Sequence, residues 1–174
     1  MPDVLTHVLW GYIIGMLLSF RYERIDKRFV TIVMLGALLP DLTKISLVID
    51  DAVVEHALGI PFSWGAIHRL GGVIIACAVG ALLAGNDYRK LVFGLLSIGA
   101  ASHLILDGLL INASGYSYDM LWPLATYHFP TPNLFLSSDR WPAILSAAIA
   151  AGVWLVNRRV ASGTEERGIP SSQP

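Results

Sequence analysis

The sequence predicts an all-α, polytopic membrane bundle of about five transmembrane spans, and three observations carry that prediction. Of its 174 residues, 55% are hydrophobic and 14% charged, where a soluble domain carries about 25% charged residues. The apolar residues fall in blocks, several of them long enough to cross a bilayer. The basic residues gather between blocks: Arg21, Arg24, Lys27 and Arg28 after the first, Arg89 and Lys90 after the third, Arg158 and Arg159 after the fifth. Five spans put all three clusters on one side, which the positive-inside rule makes the cytoplasm. The N-terminus then lies outside and the C-terminus inside a multi-pass protein of the cell membrane.

Block one runs from Val4 to Phe20, with Gly11 and Gly15 at a small-xxx-small spacing that lets helices approach closely in lipid. It lacks the basic start and small-residue cleavage site of a secretory signal, so it reads as a retained span. Block two, Phe29 to Leu39, stops at Pro40-Asp41 and is short for a span, which calls for a tilted, half-buried or broken helix. Asp50, Asp51, Glu55 and His56 lie among apolar residues and precede Gly59-Ile60-Pro61. This reads as an amphipathic segment on the membrane surface, then a turn. Blocks three and four span Leu70 to Gly85 and Leu91 to Ala113. Gly115 to Arg140, rich in Pro, Tyr, Trp, Ser and Asn, reads as a long structured outer loop with Trp122 and Tyr127 as interfacial anchors. Block five is Trp141 to Val156. Residues 1–160 thus form one transmembrane helical domain, and 161–174 a disordered cytoplasmic tail.

A net charge of −1 without a basic face argues against nucleic acid as a partner. The expected partners are membrane lipid and a lipid or amphiphilic substrate. Cys77 is the sole cysteine, so any metal must be held by His and carboxylate.

The chain is organised around Ser102-His103-Leu104-Ile105-Leu106-Asp107-Gly108. On a helix, four-residue spacing stacks His103 and Asp107 on one face, and in hydrocarbon both need a partner. His7 lies fourteen residues before Arg21, His103 fourteen after Arg89, and Asp41 thirteen after Arg28. At ~1.5 Å per residue, all three sit about 20 Å from the cytoplasmic end. Asp107 is one turn further out, and His68 lies at or just above the outer edge. Four segments therefore bring metal-type ligands to one layer.

Taken singly, several of these residues have plainer roles. His7 suits a solvated interface, Asp41 a helix cap, and His68-Arg69 a headgroup-level pair. His56 and His128 read as surface residues, while Asp3, four before His7, either orients that ring or starts the helix. Together, His7, Asp41, His68, His103 and Asp107 form a candidate metal set, with Asp41, His68 and Asp107 also the candidate catalytic groups. Imidazole and carboxylate suit zinc, and also manganese or iron, as one ion or two. A metal with an open position acidifies bound water and polarises an ester or phosphoryl oxygen. Arg69 and Arg140 are the candidates for holding an anionic substrate group, with interfacial snorkelling as their plainer role. Two rival readings use the same residues: a divalent-metal binding or transport site, and a non-catalytic membrane scaffold with a structural His/Asp network.

Thr6-His7 with Gly11, then Leu39-Pro40-Asp41, His68-Arg69, His103 to Asp107 and Leu121-Trp122-Pro123, in that order, resemble the YdjM-like family of membrane-bound metal-dependent hydrolases. That family is held to be distantly related to the zinc-dependent phospholipase C and P1 nuclease group. The resemblance covers about residues 5 to 125 and implies a hydrolase with a phosphoester preference. It carries over His7, Asp41, His68, His103 and Asp107 as ligands, with Arg69 nearby. The chain departs from the pattern twice: Thr43 stands where the family usually has a second Asp, and Val73 where it usually has a second His. The expected function is hydrolysis of an ester or phosphoester in a lipid or lipid-linked substrate near the extracytoplasmic face.

Overall fold

The structure, a computed structural model, describes residues 3–166 and is helical throughout its regular part. Six α-helices occur among the described residues: α1 (Val4–Arg21), α2 (Lys27–Leu38), α3 (Asp51–Leu58), α4 (Leu70–Leu82), α5 (Arg89–Gly108) and α6 (Trp141–Glu166). Each apolar block becomes a helix. Four segments are long and apolar enough to cross a membrane: Val4–Arg21, Lys27–Leu47, Asn86–Gly108 and Trp141–Val160. The short one is not block two. Pro40 ends α2, but a 3₁₀ helix, Leu39–Leu47, carries the segment on to 21 residues. The shortfall falls on α4, whose 13 residues rise only about 20 Å against a hydrocarbon core of ~30 Å.

Side-chain caps set where the helices begin. Asp3 accepts from Thr6 N at 2.8 Å and starts α1. Asp26 accepts from Arg28 N at 2.8 Å and starts α2, and the Arg28 guanidinium bonded to its other oxygen holds the Asp26 carboxyl below the usual carboxylate range. Asp50 caps α3, which ends at Gly59 in the left-handed region at φ 67°. That conformation favours glycine. No residue of α3 is buried, and Val53 and Leu58 are exposed, as a surface-lying segment requires.

α1 and α2 form an antiparallel hairpin whose closeness depends on the glycines of α1. A Cβ on Gly11 would lie 2.8 Å from Met34 Cα, and one on Gly15 3.0 Å from Val30 Cα. α5 runs parallel to α2, held as closely: a Cβ on Gly36 would strike Leu96, and one on Gly99 would strike Val33 O. Leu95 of α5 packs with Val33 and Ile25, while Val92, Leu96 and Ala100 pack with Val73, Cys77 and Ala81 of α4. α6 lies against α1 and runs to Glu166, past residue 160 where the helical domain was expected to end. The rest of the expected tail, residues 167–174, lies outside the described residues.

The outer loop is folded on itself. Ser117 N donates to Phe129 O at 2.8 Å, Phe129 N to Ser117 Oγ at 3.0 Å, and His128 Nδ1 meets Ser117 O at 2.7 Å. The loop also caps α4, which has no side-chain cap of its own. Leu70 N donates to Met120 O at 2.8 Å and Gly71 N to Trp122 O at 2.9 Å, where the Trp122-Pro123 peptide is cis. Two amides orphaned at the helix start are thereby satisfied.

Candidate metal centre

Antiparallel and parallel packing together bring the start of α1, the end of α2, the approach to α4 and the end of α5 to one end of the bundle. His7, His68, His103 and Asp107 meet there. Asp107 is the hub: its Oδ2 lies 2.8 Å from His68 Nε2 and 3.4 Å from His103 Nε2, and its Oδ1 lies 3.5 Å from His7 Nε2. His68 Nε2 and His103 Nε2 are 3.1 Å apart. The His7 and His103 rings stack with centroids 3.6 Å apart and planes 15° from parallel. His7 and His103 are fully buried, and His68 and Asp107 nearly so.

His103 is oriented from behind. Its Nδ1 lies 2.7 Å from Ala37 O, a bond that only Nδ1–H can donate, which turns Nε2 toward Asp107 and His68. An N–H···N bond could then join His68 to His103. That bond still leaves both nitrogens of His7 and both oxygens of Asp107 buried with no hydrogen-bond partner, because the Asp107 contacts lack hydrogen-bond angles. Orphaned polar atoms of this kind call for a partner.

The spacing suits a cation. Zinc bound at ~2.0–2.1 Å in a tetrahedron sets its ligand atoms about 3.3 Å apart. Four contacts, each imidazole Nε2 to an Asp107 oxygen and His68 Nε2 to His103 Nε2, run from 2.8 to 3.5 Å. Ligand atoms of His7, His103 and Asp107 all lie within 4.8 Å of one another.

Asp41 stands differently from the other four expected ligands. It is buried at the start of the 3₁₀ helix, and Lys44 Nζ approaches its Oδ1 at 2.7 Å, an ion pair without hydrogen-bond angles. A cation of the chain's own already neutralises it. Val73, at the position of the family's second His, is core, and Thr43 is half-buried in the 3₁₀ helix. Asp3 is a cap and does not orient His7.

A cavity of about 370 Å³ opens beside the cluster, with His68 and Asp107 in its wall beside Leu110, Met120, Tyr118 and Ser117. Neither expected anion-binding arginine lines it. Arg69 Nε donates to Asp119 Oδ1 at 3.0 Å, and Arg140 is exposed just before α6. A profile described as YdjM inner membrane protein matches residues 1–168. The chain belongs to the YdjM inner membrane protein family. It is thus a multi-pass protein of the membrane, consistent with its four long apolar helices. No curated protein and no solved structure matches it.

Sequence reasoning did not single out Lys44, Asp119 or Tyr118. Tyr118 is the most consequential for this YdjM-family chain. Its ring packs 5.1 Å from that of His68, and its buried hydroxyl has no partner. Burial first, then the Asp107 and Asp119 carboxylates, push its ionisation upward, so the phenol keeps its proton.

Proposed function

We propose that the chain is a membrane-embedded, metal-dependent hydrolase acting on an ester or phosphoester of a lipid or lipid-linked substrate near the extracytoplasmic face. The observation that carries the reading is the convergence of three imidazoles on one buried carboxylate, with His7 and Asp107 left without hydrogen-bond partners beside an open cavity. His7, His103 and Asp107, whose ligand atoms lie within 4.8 Å of one another, would hold one ion, with His68 beside them at Asp107 and His103; zinc comes first, with manganese or iron as alternatives. Bound there, such an ion would acidify a water and polarise the ester or phosphoryl oxygen. Ala37 O fixes the His103 ring, and Asp107 contacts all three imidazoles. His68 and Asp107 line the cavity, and whichever of them is not bound to the ion would take or return a proton. The Asp41–Lys44 pair is a neutralised ion pair beside the site rather than a second metal ligand.

The substrate class follows from position. The cluster lies at the end of the bundle opposite the basic loops, where Arg24, Arg28 and Asp87 share a cleft, and the positive-inside rule makes that end extracytoplasmic. A site opening near headgroup depth is most readily reached by an amphiphile. The resemblance of the motifs to membrane-bound metal-dependent hydrolases points the same way, while the matched family is described as an inner membrane protein.

Metal analysis of detergent-purified protein by plasma mass spectrometry tests the reading. About one equivalent of zinc, manganese or iron is expected. His103→Ala and Asp107→Ala should each lose it while still inserting and eluting as folded protein. Unchanged metal content in both variants, or no metal in the wild type after reloading, refutes the ligand assignment.

A further inference from the structure

We propose that the Tyr118 hydroxyl is a ligand-binding donor: it hydrogen-bonds an oxygen of a tetrahedral oxyanion, a phosphate or phosphoester, seated between the His/Asp cluster and the cavity. The inference rests on the hydrolase reading for its choice of ligand class, and on separate observations for the residue.

Tyr118 lines the same cavity as His68 and Asp107, and its phenol oxygen is buried without a partner. Apart from His68 and Asp107, the polar side chains of the wall that form hydrogen bonds spend them on nearby chain. Ser117 Oγ donates to Tyr118 O and accepts from Phe129 N. Asn112 Nδ2 donates to Tyr116 O, and Thr131 Oγ1 to Asn133 Oδ1. Among the described residues no Lys or Arg lines the cavity, so an ion held at the cluster would have to offset the charge of an anion there. A buried hydroxyl without a partner is unfavourable. Its ring packs 5.1 Å from that of His68, and bonds at Ser117 and from Arg69 to Asp119 hold the chain on either side.

The test compares the full-length protein with Tyr118→Phe in detergent, measuring metal content, inorganic phosphate affinity by titration calorimetry, and melting temperature. The expected result is equal metal content, phosphate affinity about 3- to 10-fold weaker in the variant, and a melting temperature unchanged or raised. A structural hydroxyl would do the opposite, lowering the melting temperature and leaving phosphate affinity alone, and that result overturns the proposal. Equal affinities at equal metal content, or no phosphate binding by the wild type, also overturn it and leave the metal reading standing. A wild type without metal defeats the hydrolase reading, whereas a Tyr118-dependent phosphate affinity in that protein still supports the donor role.

Discussion

Gly99→Ala tests whether the closeness of α2 and α5 is what aims His103. A Cβ at this position would lie 2.7 Å from Ala37 N and 2.9 Å from Gly36 C, and would strike Val33 O as well. All of these are backbone atoms, so no side chain can swing aside. Ordinary contact between such atoms is about 3.5 Å, so the helices must part by roughly 0.7 Å or more. Ala37 moves with α2, and its carbonyl holds His103 Nδ1 at 2.7 Å. The same displacement stretches that bond to ~3.4 Å, where a hydrogen bond is nearly lost. Overpacking of this kind costs about 1–3 kcal/mol, and loss of the group that orients a ligating imidazole costs ~10- to 100-fold in metal affinity. The assay is a zinc titration against a competing chelator, run beside a thermal melt. Gly94→Ala is the control, because a Cβ there meets nothing within 4 Å on the same helix. Wild-type metal affinity and melting in Gly99→Ala would refute the link between helix approach and ring orientation.

Asp3→Ala removes the acceptor of Thr6 N at 2.8 Å and should cost about 1 kcal/mol in a detergent melt; metal content should stay at the wild-type value, since the carboxylate caps a helix rather than orienting His7. Lys44→Met leaves the buried Asp41 carboxylate without its cation. Because Lys44 is 39% exposed and water shares the pairing, the expected loss in the same melt is about 1 kcal/mol, again with metal content retained. Loss of metal from Lys44→Met would show that Asp41 acts on the cluster more directly than its ion pair implies.

Much of the centre was legible because helices are rulers. A fixed rise per residue places His7 and His103 at one depth when each is counted from its basic loop, and the four-residue spacing of His103 and Asp107 puts both on one helix face. The glycines of α1 marked a face for close approach without naming its partner, which the structure shows to be α2. The residues missed lie where no period operates. Lys44 meets Asp41 across a 3₁₀ turn that Pro40-Asp41 signalled only as a stop. Tyr118 is set by bonds pairing Ser117 with Phe129, twelve residues apart in a loop with no repeating pattern. Nor does apolarity announce the end of a helix: the third block is apolar to Ala84, yet α4 closes in tight turns, Leu83 N to Gly80 O and Ala84 N to Ala81 O.

The brevity of α4 decides how the centre can be reached. A carboxylate and three imidazoles are costly inside hydrocarbon unless protein surrounds them, and on one side α1, α2 and α5 do so, burying His7 and His103 completely. On the other side α4 falls about 10 Å short of spanning the hydrocarbon. The outer loop supplies the missing wall, placing the Met120 and Trp122 carbonyls on the first amides of α4 and pressing Pro123 so close to Gly71 that a Cβ there would lie 2.7 Å from its Cδ. A loop that completes a wall with backbone contacts leaves a cavity where its side chains do not close, and this one is bounded by Tyr118, Met120 and Ser117. The spans fix which polar atoms converge, and the loop bounds the cavity beside them.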